Sequence, residues 1–431
     1  MSCSDGLVCR GNICIEESCQ TANECDLATP YCVMPPDGTC SERCTEDSEC
    51  PGKGQGAEHQ FCEAEACVEC RTANDCTAAT PVCSGGACVA CTEHDQCASG
   101  ACRTDGTCAT GDHVAHVNVV GSPSSDCTVA SPCSTIERAL ALLPTRPYIV
   151  LASGTYTRTG PLTILDTRWL IGHGTPNPIL DRLDDGPIII AQAAVDLHLE
   201  RFELSGATGG ISAPQLTGYG LYCKATAGAP KVSLRNMVVR GNFRGVNSVN
   251  CTVSIVKSTF TGMDLGIELR DSMGIVDSNT FLAAPVTLDA GVFTFRNNFV
   301  ARSLGSGVEF YSSSTGNVFE FNTIVDNGLM YDPSYGVSCQ LTTPASFPNN
   351  IIARNRASTS GTSCTYPGSI IVDTDISALK FTQPNVPPYD YHLMPGSMAI
   401  DLAAASTLDH DIDGDARPKG AGRDVGADEA Q

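Results

Sequence analysis

Four charged side chains recur at comparable places in short alternating segments: Glu268 and Arg270 in GIELR, Asp289 in PVTLD and Glu309 in GVEFY. If the segments stack as neighbouring strands, Glu268 and Asp289 stand about 8 Å apart between Cα atoms. That spacing suits the paired carboxylates of glycoside hydrolysis, one as acid and one as base or nucleophile. Arg270 beside Asp289 would serve a lyase as base, or clamp the carboxylate of a uronate. Tyr222, Lys224 and Tyr311 occupy equivalent places and would offer ring faces and a cation to a sugar. The other reading is a solvated strand face, on which acids and bases pair across strands for a small gain in stability.

A second set of acids lies in DHDIDGD, where Asp409, Asp411, Asp413 and Asp415 alternate and Gly414 fills the slot of a tight turn. Calcium is the ion such a loop would hold, although the glutamate that ends a twelve-residue EF-hand loop is replaced by Gly420. The competing reading is a structural closure in which Arg417 pairs with Asp424 or Glu429. The sequence demands no other cofactor.

These residues need elements to position them. From about Val117 the chain is rich in Val, Ile, Leu, Thr, Asn and Gly, and one motif returns in RNMVVRGN, KSTFTGMD, SNTFLAAP, RNNFVARS, FNTIVDNG and PNNIIARN. Its polar second residue falls at Asn236, Ser258, Asn279, Asn297, Asn322 and Asn349, a period near 22. A second ladder, GLYCK, GVNSV, GIELR, PVTLD, GVEFY, GVSCQ and GTSCT, alternates inward and outward positions with the period of a pleated strand. Two strand ladders per coil predict a solenoid in which each coil buries its inner side chains against the next. Ile267 and Leu269 then point inward, Glu268 and Arg270 outward.

The cysteines outside the first quarter agree with this register. Cys339 and Cys364 occupy the same place in consecutive rungs, and strands stacked about 4.8 Å apart meet the Cα separation of about 4.4–6.8 Å that a disulfide needs. Cys223 and Cys251 are one coil apart with an offset of three positions. Cys127 and Cys133 would close the loop before STIERALALL, a short amphipathic helix near 134–143 with a capping box of Ser134 and Glu137, suited to plugging the first coil.

The segments VNVVGSPSSDCTVASPCSTIERAL, YIVLASGTYT and WLIGHGTPNPILD, then the Asn-bearing coils, then DIDGDARP and DVGADE, resemble secreted bacterial right-handed parallel β-helix proteins of the pectate-lyase-like superfamily over roughly 115–431. The resemblance implies an all-β fold, and it implies that a groove on one outer sheet holds polysaccharide. It leaves chemistry open, since this fold hosts lyases, hydrolases, esterases, adhesins and inert stalks. Gly172-His173-Gly174 is similar to a tripeptide of β-helix polygalacturonases, but its place before the main coils predicts a turn.

Nineteen of the 25 cysteines lie between Cys3 and Cys108. Four repeats begin at Cys19, Cys44, Cys70 and Cys91, each opening with C-x5-C, and such density marks a disulfide framework in an oxidising compartment. The spacing is wrong for zinc modules, which use C-x2-C pairs with histidines. These repeats are similar to short Dickkopf-type Cys-rich modules, which implies extracellular display. The opening CSDGLVCRGNIC lacks one cysteine of the repeat, which leaves the count odd; the chain is expected to begin inside a repeat, after an upstream portion that carries the missing cysteine and a secretion signal. A free thiol or an intermolecular bridge is the other explanation.

Residues 1–110 hold five Lys/Arg against eighteen Asp/Glu, 5 − 18 = −13, more than half of the net −22. Such acidity argues against nucleic acid and anionic membrane surfaces as partners, and no apolar run reaches the ~18 residues of a spanning helix. The sequence therefore predicts a Cys-rich, mostly irregular repeat region at 1–110 and a β-helix at 111–431 with a C-terminal cap near 396–431. Its expected role is a secreted or cell-surface scaffold, a monomer or part of a larger surface protein, that contacts polysaccharide or a cell-surface glycan. The second reading is a polysaccharide lyase or glycoside hydrolase.

Overall fold

The computed structural model describes residues 61–142, 145–208, 218–226, 228–311 and 316–430 with Cys44, Asp47 and Cys50, and the backbone of short strands between Leu7 and Ser41. Two compact units result, residues 1–114 and 115–431. No helix among the described residues is long and apolar enough to cross a membrane.

The second unit is a parallel β-helix. Short strands, each with small or apolar inward residues, pair only with the strand one coil away, so that three parallel sheets form. The first holds nine strands from Val114–Ser122 to Val318–Glu320, the second ten from Thr155–Arg158 to Ile370–Val372, and the third nine from Leu162–Ile164 to Thr359–Ser360. Three ladders replace the expected two. The ladder that was missed includes Lys231–Arg235, Thr252–Val256 and Val292–Arg296. These follow the second-ladder segments directly, so in sequence they read as the tail of one strand and the head of the next.

In register, Leu234, Ile255, Val276, Phe295 and Phe319 form one inward column of the first sheet. Ile267, Val286 and Val308 form another in the third. Phe260 and Phe281 stack at 4.8 Å and Phe295 and Phe319 at 5.4 Å. Offset aromatic stacks of this kind add to the burial itself.

Buried amides line one corner. The column runs Ser258, Asn279, Asn298, Asn322 and Asn350, each amide oxygen or hydroxyl accepting from the backbone N–H of the preceding rung at 2.8–3.1 Å. Two of its members differ from the expected Asn297 and Asn349. Those residues, like Asn236, take positive φ (52°, 60° and 53°) and turn the chain immediately before the stacking position. Asparagine tolerates that left-handed turn, which explains the doubled Asn in RNN and PNN.

Leading glycines of the third sheet have a steric cause. A Cβ on Gly245 would stand 2.2 Å from the Gly266 carbonyl oxygen of the next coil.

The helix spans Ile136–Leu140 and buries Ile136 and Ala139 in the core of the first coils. Its N-cap is Thr135, which accepts from the Arg138 N–H, and the expected Ser134–Glu137 box does not form. Glu137 is drawn instead to Arg158 at 2.9 Å. Cys127–Cys133, Cys223–Cys251 and Cys339–Cys364 are bonded. Cys364 is not the in-register neighbour of Cys339, however. The rung after Val337–Gln340 is Thr359–Ser360, the chain turns at Gly361, and Cys364 pairs beside Ala345. Cys223–Cys251 closes a separation of 28 residues; replacing both by Ser is expected to cost roughly 2–4 kcal/mol in urea unfolding.

The C-terminal segment, expected as a cap near 396–431, packs along the side of the coils. It returns along the outer face of the second sheet, where the Ser278 hydroxyl donates to the Asp411 carbonyl, the Asn297 amide donates to the His410 carbonyl, and Asn349 exchanges bonds with Ala404. The reason is apolar. Phe299, Val325 and Ile351 point outward from that sheet and form a second core with Phe381, Tyr391, Leu393, Ile412 and Val425.

In the first unit, three repeats close on themselves in one pattern, first cysteine to third and second to fourth: Cys44–Cys62 with Cys50–Cys67, Cys70–Cys83 with Cys76–Cys88, and Cys91–Cys102 with Cys97–Cys108. In the first two of these, the third and fourth cysteines face each other across a hairpin. The earlier repeats, with the unpaired-cysteine expectation, lie outside the residues whose side chains are described.

Candidate functional site

The outer face of the third sheet carries the predicted residues in two rows. Tyr222, Asn247, Glu268, Thr287, Glu309 and Ser338 form one row by register, and Lys224, Val249, Arg270, Asp289, Tyr311 and Gln340 the next. Every predicted sugar-contacting or catalytic residue therefore shares one face. They are not equally available.

Glu268 points outward as expected but is only 4 % exposed. Its Oε2 accepts from Asn247 Nδ2 at 2.6 Å and from Arg244 Nη1 at 3.4 Å, while Oε1 meets Arg270 Nη2. Both oxygens are taken by donors, and two guanidiniums neutralise one carboxylate. Arg270 thus turns to Glu268 within its own strand, rather than to Asp289. Arg244 is fixed in turn by the Tyr219 hydroxyl at 3.3 Å and lies over the Tyr219 and Phe243 rings. Tyr222 stacks on Tyr219 with centroids 5.7 Å apart.

Arg244 and Tyr219 are the residues that pattern reading missed. Both stand immediately before the leading glycine, a position one residue outside the alternating segments. A positive or aromatic residue preceding those glycines was the signal.

On the other side, the Tyr311 hydroxyl donates to Glu309 Oε2 at 2.9 Å. Burial, then the Glu309 and Asp289 carboxylates, push the Tyr311 phenol up to about 12. It stays a neutral donor near pH 7. Burial, with Tyr219 alongside, raises Tyr222 as well. Asp289 and Glu309 are half-buried, whereas Lys224 and Arg270 are exposed. A cleft lined by Asp264, Leu265, Thr287, Leu304, Glu309 and Tyr331 borders the first row, so the face has one wall.

Glu268→Gln would keep the shape and remove the charge that holds both arginines. It is expected to destabilise the solenoid by about 2 kcal/mol, read as a lowered urea midpoint at unchanged slope.

The remaining predicted sites lie elsewhere. His173 is exposed at the end of the strand Arg168–His173 in the first sheet, paired with Ala152. The four aspartates of DHDIDGD do not converge on a calcium loop. Asp411 is fully buried, with Oδ1 accepting from the N–H groups of Asp413, Gly414 and Asp415 at 2.8–3.0 Å and Oδ2 from Glu429 N–H at 3.1 Å. Asp409 faces His410, Asp413 faces His392 and Asp415 faces Lys419. Asp411 thus orders the turn through four amides, while the other three acids each face a separate partner. The Arg417–Glu429 pair expected of the competing reading is present at 2.8 Å.

Stacked parallel sheets, one strand of each per coil, and a polar outer face with one wall define a β-helix protein. Residues 219–376 match the family model for the right handed beta helix region, so the chain carries a right-handed parallel β-helix. Residues 8–114 match a family of unknown function (DUF8331). No curated protein matches. Among solved structures, pectate lyase Pel9A is similar at 13 % identity and a TM-score of 0.42, covering 75 % of this chain and 97 % of its own. The Azotobacter vinelandii mannuronan C-5 epimerase AlgE6 A-module is similar at 15 % identity and a TM-score of 0.35, covering 56 % and 70 %. The GH136 lacto-N-biosidase from Eubacterium ramulus is similar at 12 % identity and a TM-score of 0.37, covering 61 % and 55 %.

Proposed function

We propose that this protein is an extracellular or cell-surface scaffold whose third-sheet face binds polysaccharide without turning it over. The observation that carries the reading is the saturation of Glu268. A general acid must release a proton and a nucleophile must offer a free lone pair; the most shielded carboxylate of the face does neither while Asn247, Arg244 and Arg270 hold it. Its role is to position the two arginines. Arg270 and Lys224 then present cations and hydrogen-bond donors, with Tyr222 and Tyr311 giving partly open ring faces along a row of coils about 4.8 Å apart. A sugar chain laid along the helix axis meets one rung after another.

The disulfides support export. Three repeats closed by six bridges in residues 44–108 would not survive in a reducing cytosol. Strong net acidity directs the face toward neutral polymers, or toward acidic ones at local cations only.

The test is affinity electrophoresis on a panel of neutral and uronate polysaccharides, with Lys224→Ala/Arg270→Ala as the paired variant. Retardation of the native chain and at least a tenfold loss in the variant are expected. Equal retardation of both would remove the third sheet from the account.

A further inference from the structure

We propose that His392, Asp413 and Asp428 form a site for one divalent transition-metal ion, of the Zn2+ class, that clasps the C-terminal segment to the hairpin Phe381–Gln383/Asp390–Leu393. The nearest ligand atoms of the three residues lie within 4.8 Å of one another. Around an ion with bonds of about 2.0–2.2 Å in tetrahedral geometry, ligand atoms stand about 3.4 Å apart. His392 Nε2 and Asp413 Oδ2 are already 3.2 Å apart.

The histidine is prepared as a ligand. Asp390 Oδ1 sits 2.5 Å from His392 Nδ1, two residues back on the same face of the strand. A carboxylate on Nδ1 fixes the ring and leaves Nε2 to bind, the arrangement that supports metal-bound imidazoles generally. The Phe299 ring packs edge-on against the imidazole at 5.0 Å. Nε2 is out of contact with solvent, and although Asp413 is at ion-pair distance, no acceptor lies along the ring N–H direction. Nε2 thus stands buried within 4.8 Å of a carboxylate oxygen from each of Asp413 and Asp428.

The carboxylates are placed with similar care. Asp428 is buried and anchored by the Leu393 N–H on Oδ2 at 2.6 Å. Asp413 rides on the turn organised by the buried Asp411, with its side chain at the surface. One imidazole and two carboxylates match a borderline ion such as Zn2+ or Co2+. Calcium wants six to eight oxygens and gains nothing from the imidazole. The ligands come from the hairpin and from two places in the final segment, so binding joins pieces that are separate in the chain. Cysteine triads elsewhere do not compete, because every one of them among the described residues is in disulfides.

The experiment uses the full chain, oxidised and stripped with chelator. Co2+ and Zn2+ are titrated by calorimetry, and the Co2+ complex is followed by its visible absorption. One ion per chain is expected, with at least tenfold weaker binding in Asp413→Asn and in Asp390→Asn. Zn2+ should also slow trypsin cleavage after Lys419 and Arg423 in the native chain and leave the rate in Asp413→Asn unchanged. Asp413 is exposed, so that variant folds; matching circular dichroism verifies it. Absence of saturable binding, unaltered affinity in Asp413→Asn, or Ca2+ displacing Zn2+ at equal concentration would each overturn the site.

Discussion

Arg417→Ala is expected to cost about 3–5 kcal/mol. The Arg417 and Glu429 side chains are 0 % and 1 % exposed and meet at 2.8 Å. The guanidinium also donates to the carbonyls of His410, Asp424 and Gly426 at 2.8–3.1 Å and lies 4.7 Å over the Phe321 ring. Alanine would leave Glu429 charged in a dry site, with three carbonyls unpaired. The loss should appear as detachment of the C-terminal segment, with faster trypsin cleavage after Lys419 and Arg423 and an early phase in urea unfolding.

Its pH dependence has a definite sign. Burial already raises the Glu429 carboxyl above the ordinary glutamate range; the Asp424 and Lys419 N–H groups, and after them the Arg417 charge, lower it, so losing Arg417 raises it further. An acid whose folded pKa is raised costs stability above that pKa and recovers it as pH falls. The deficit of Arg417→Ala should therefore shrink on acidification toward pH 4. Arg417→Met with Glu429→Leu, which removes both charges and keeps volume, should recover most of the loss.

Asn322→Ala comes next, at on the order of 4 kcal/mol from several buried groups left unpaired at once. The Asn322 amide oxygen accepts from the Asn298 N–H and from its Nδ2, both at 3.1 Å. Its Nδ2 donates to the Phe295 and Glu320 carbonyls and to Asn350 Oδ1 at 3.0–3.1 Å. Asn322→Ser should lose less, because serine already serves at both ends of the column: the Ser258 hydroxyl accepts from Met237 N–H and the Ser369 hydroxyl from Asn350 N–H. Urea midpoints ranked native, then Ser, then Ala test the column. Equal midpoints would reduce it to decoration.

These two sites differ in how far the sequence announces them. The amide column was visible as a period, because each coil must meet the same corner in the same way. Its phase was one residue off where asparagine is doubled, since both the left-handed corner and the stack accept that residue. The third-sheet face was legible for a similar reason: strict alternation around leading glycines put Glu268 and Arg270 outward. What alternation omits is the neighbour that folds over a position. Arg244 reaches Glu268 across 24 residues, and only coordinates show the carboxylate sealed.

Long-range docking was least legible. The acids of DHDIDGD read as a calcium loop because spacing carries no record of amide donors arriving from the turn itself and from Glu429. The return of the final segment over the second sheet depends on Phe299, Val325 and Ile351 facing outward, and a strand with apolar residues on both faces reads in sequence as simply buried. His392 passed unnoticed as a single histidine in DYHL, its companions lying 21 and 36 residues further on.

The central claim is that the third-sheet face holds polysaccharide and leaves it intact. It is tested most directly by incubating the full chain with each retained polysaccharide and assaying reducing ends and unsaturated uronates while binding is measured in parallel. The account predicts saturable binding, weakened at least tenfold by Lys224→Ala/Arg270→Ala, with no product above the protein-free control. Product that accumulates with native chain and disappears in Asp289→Asn/Glu309→Gln would contradict it.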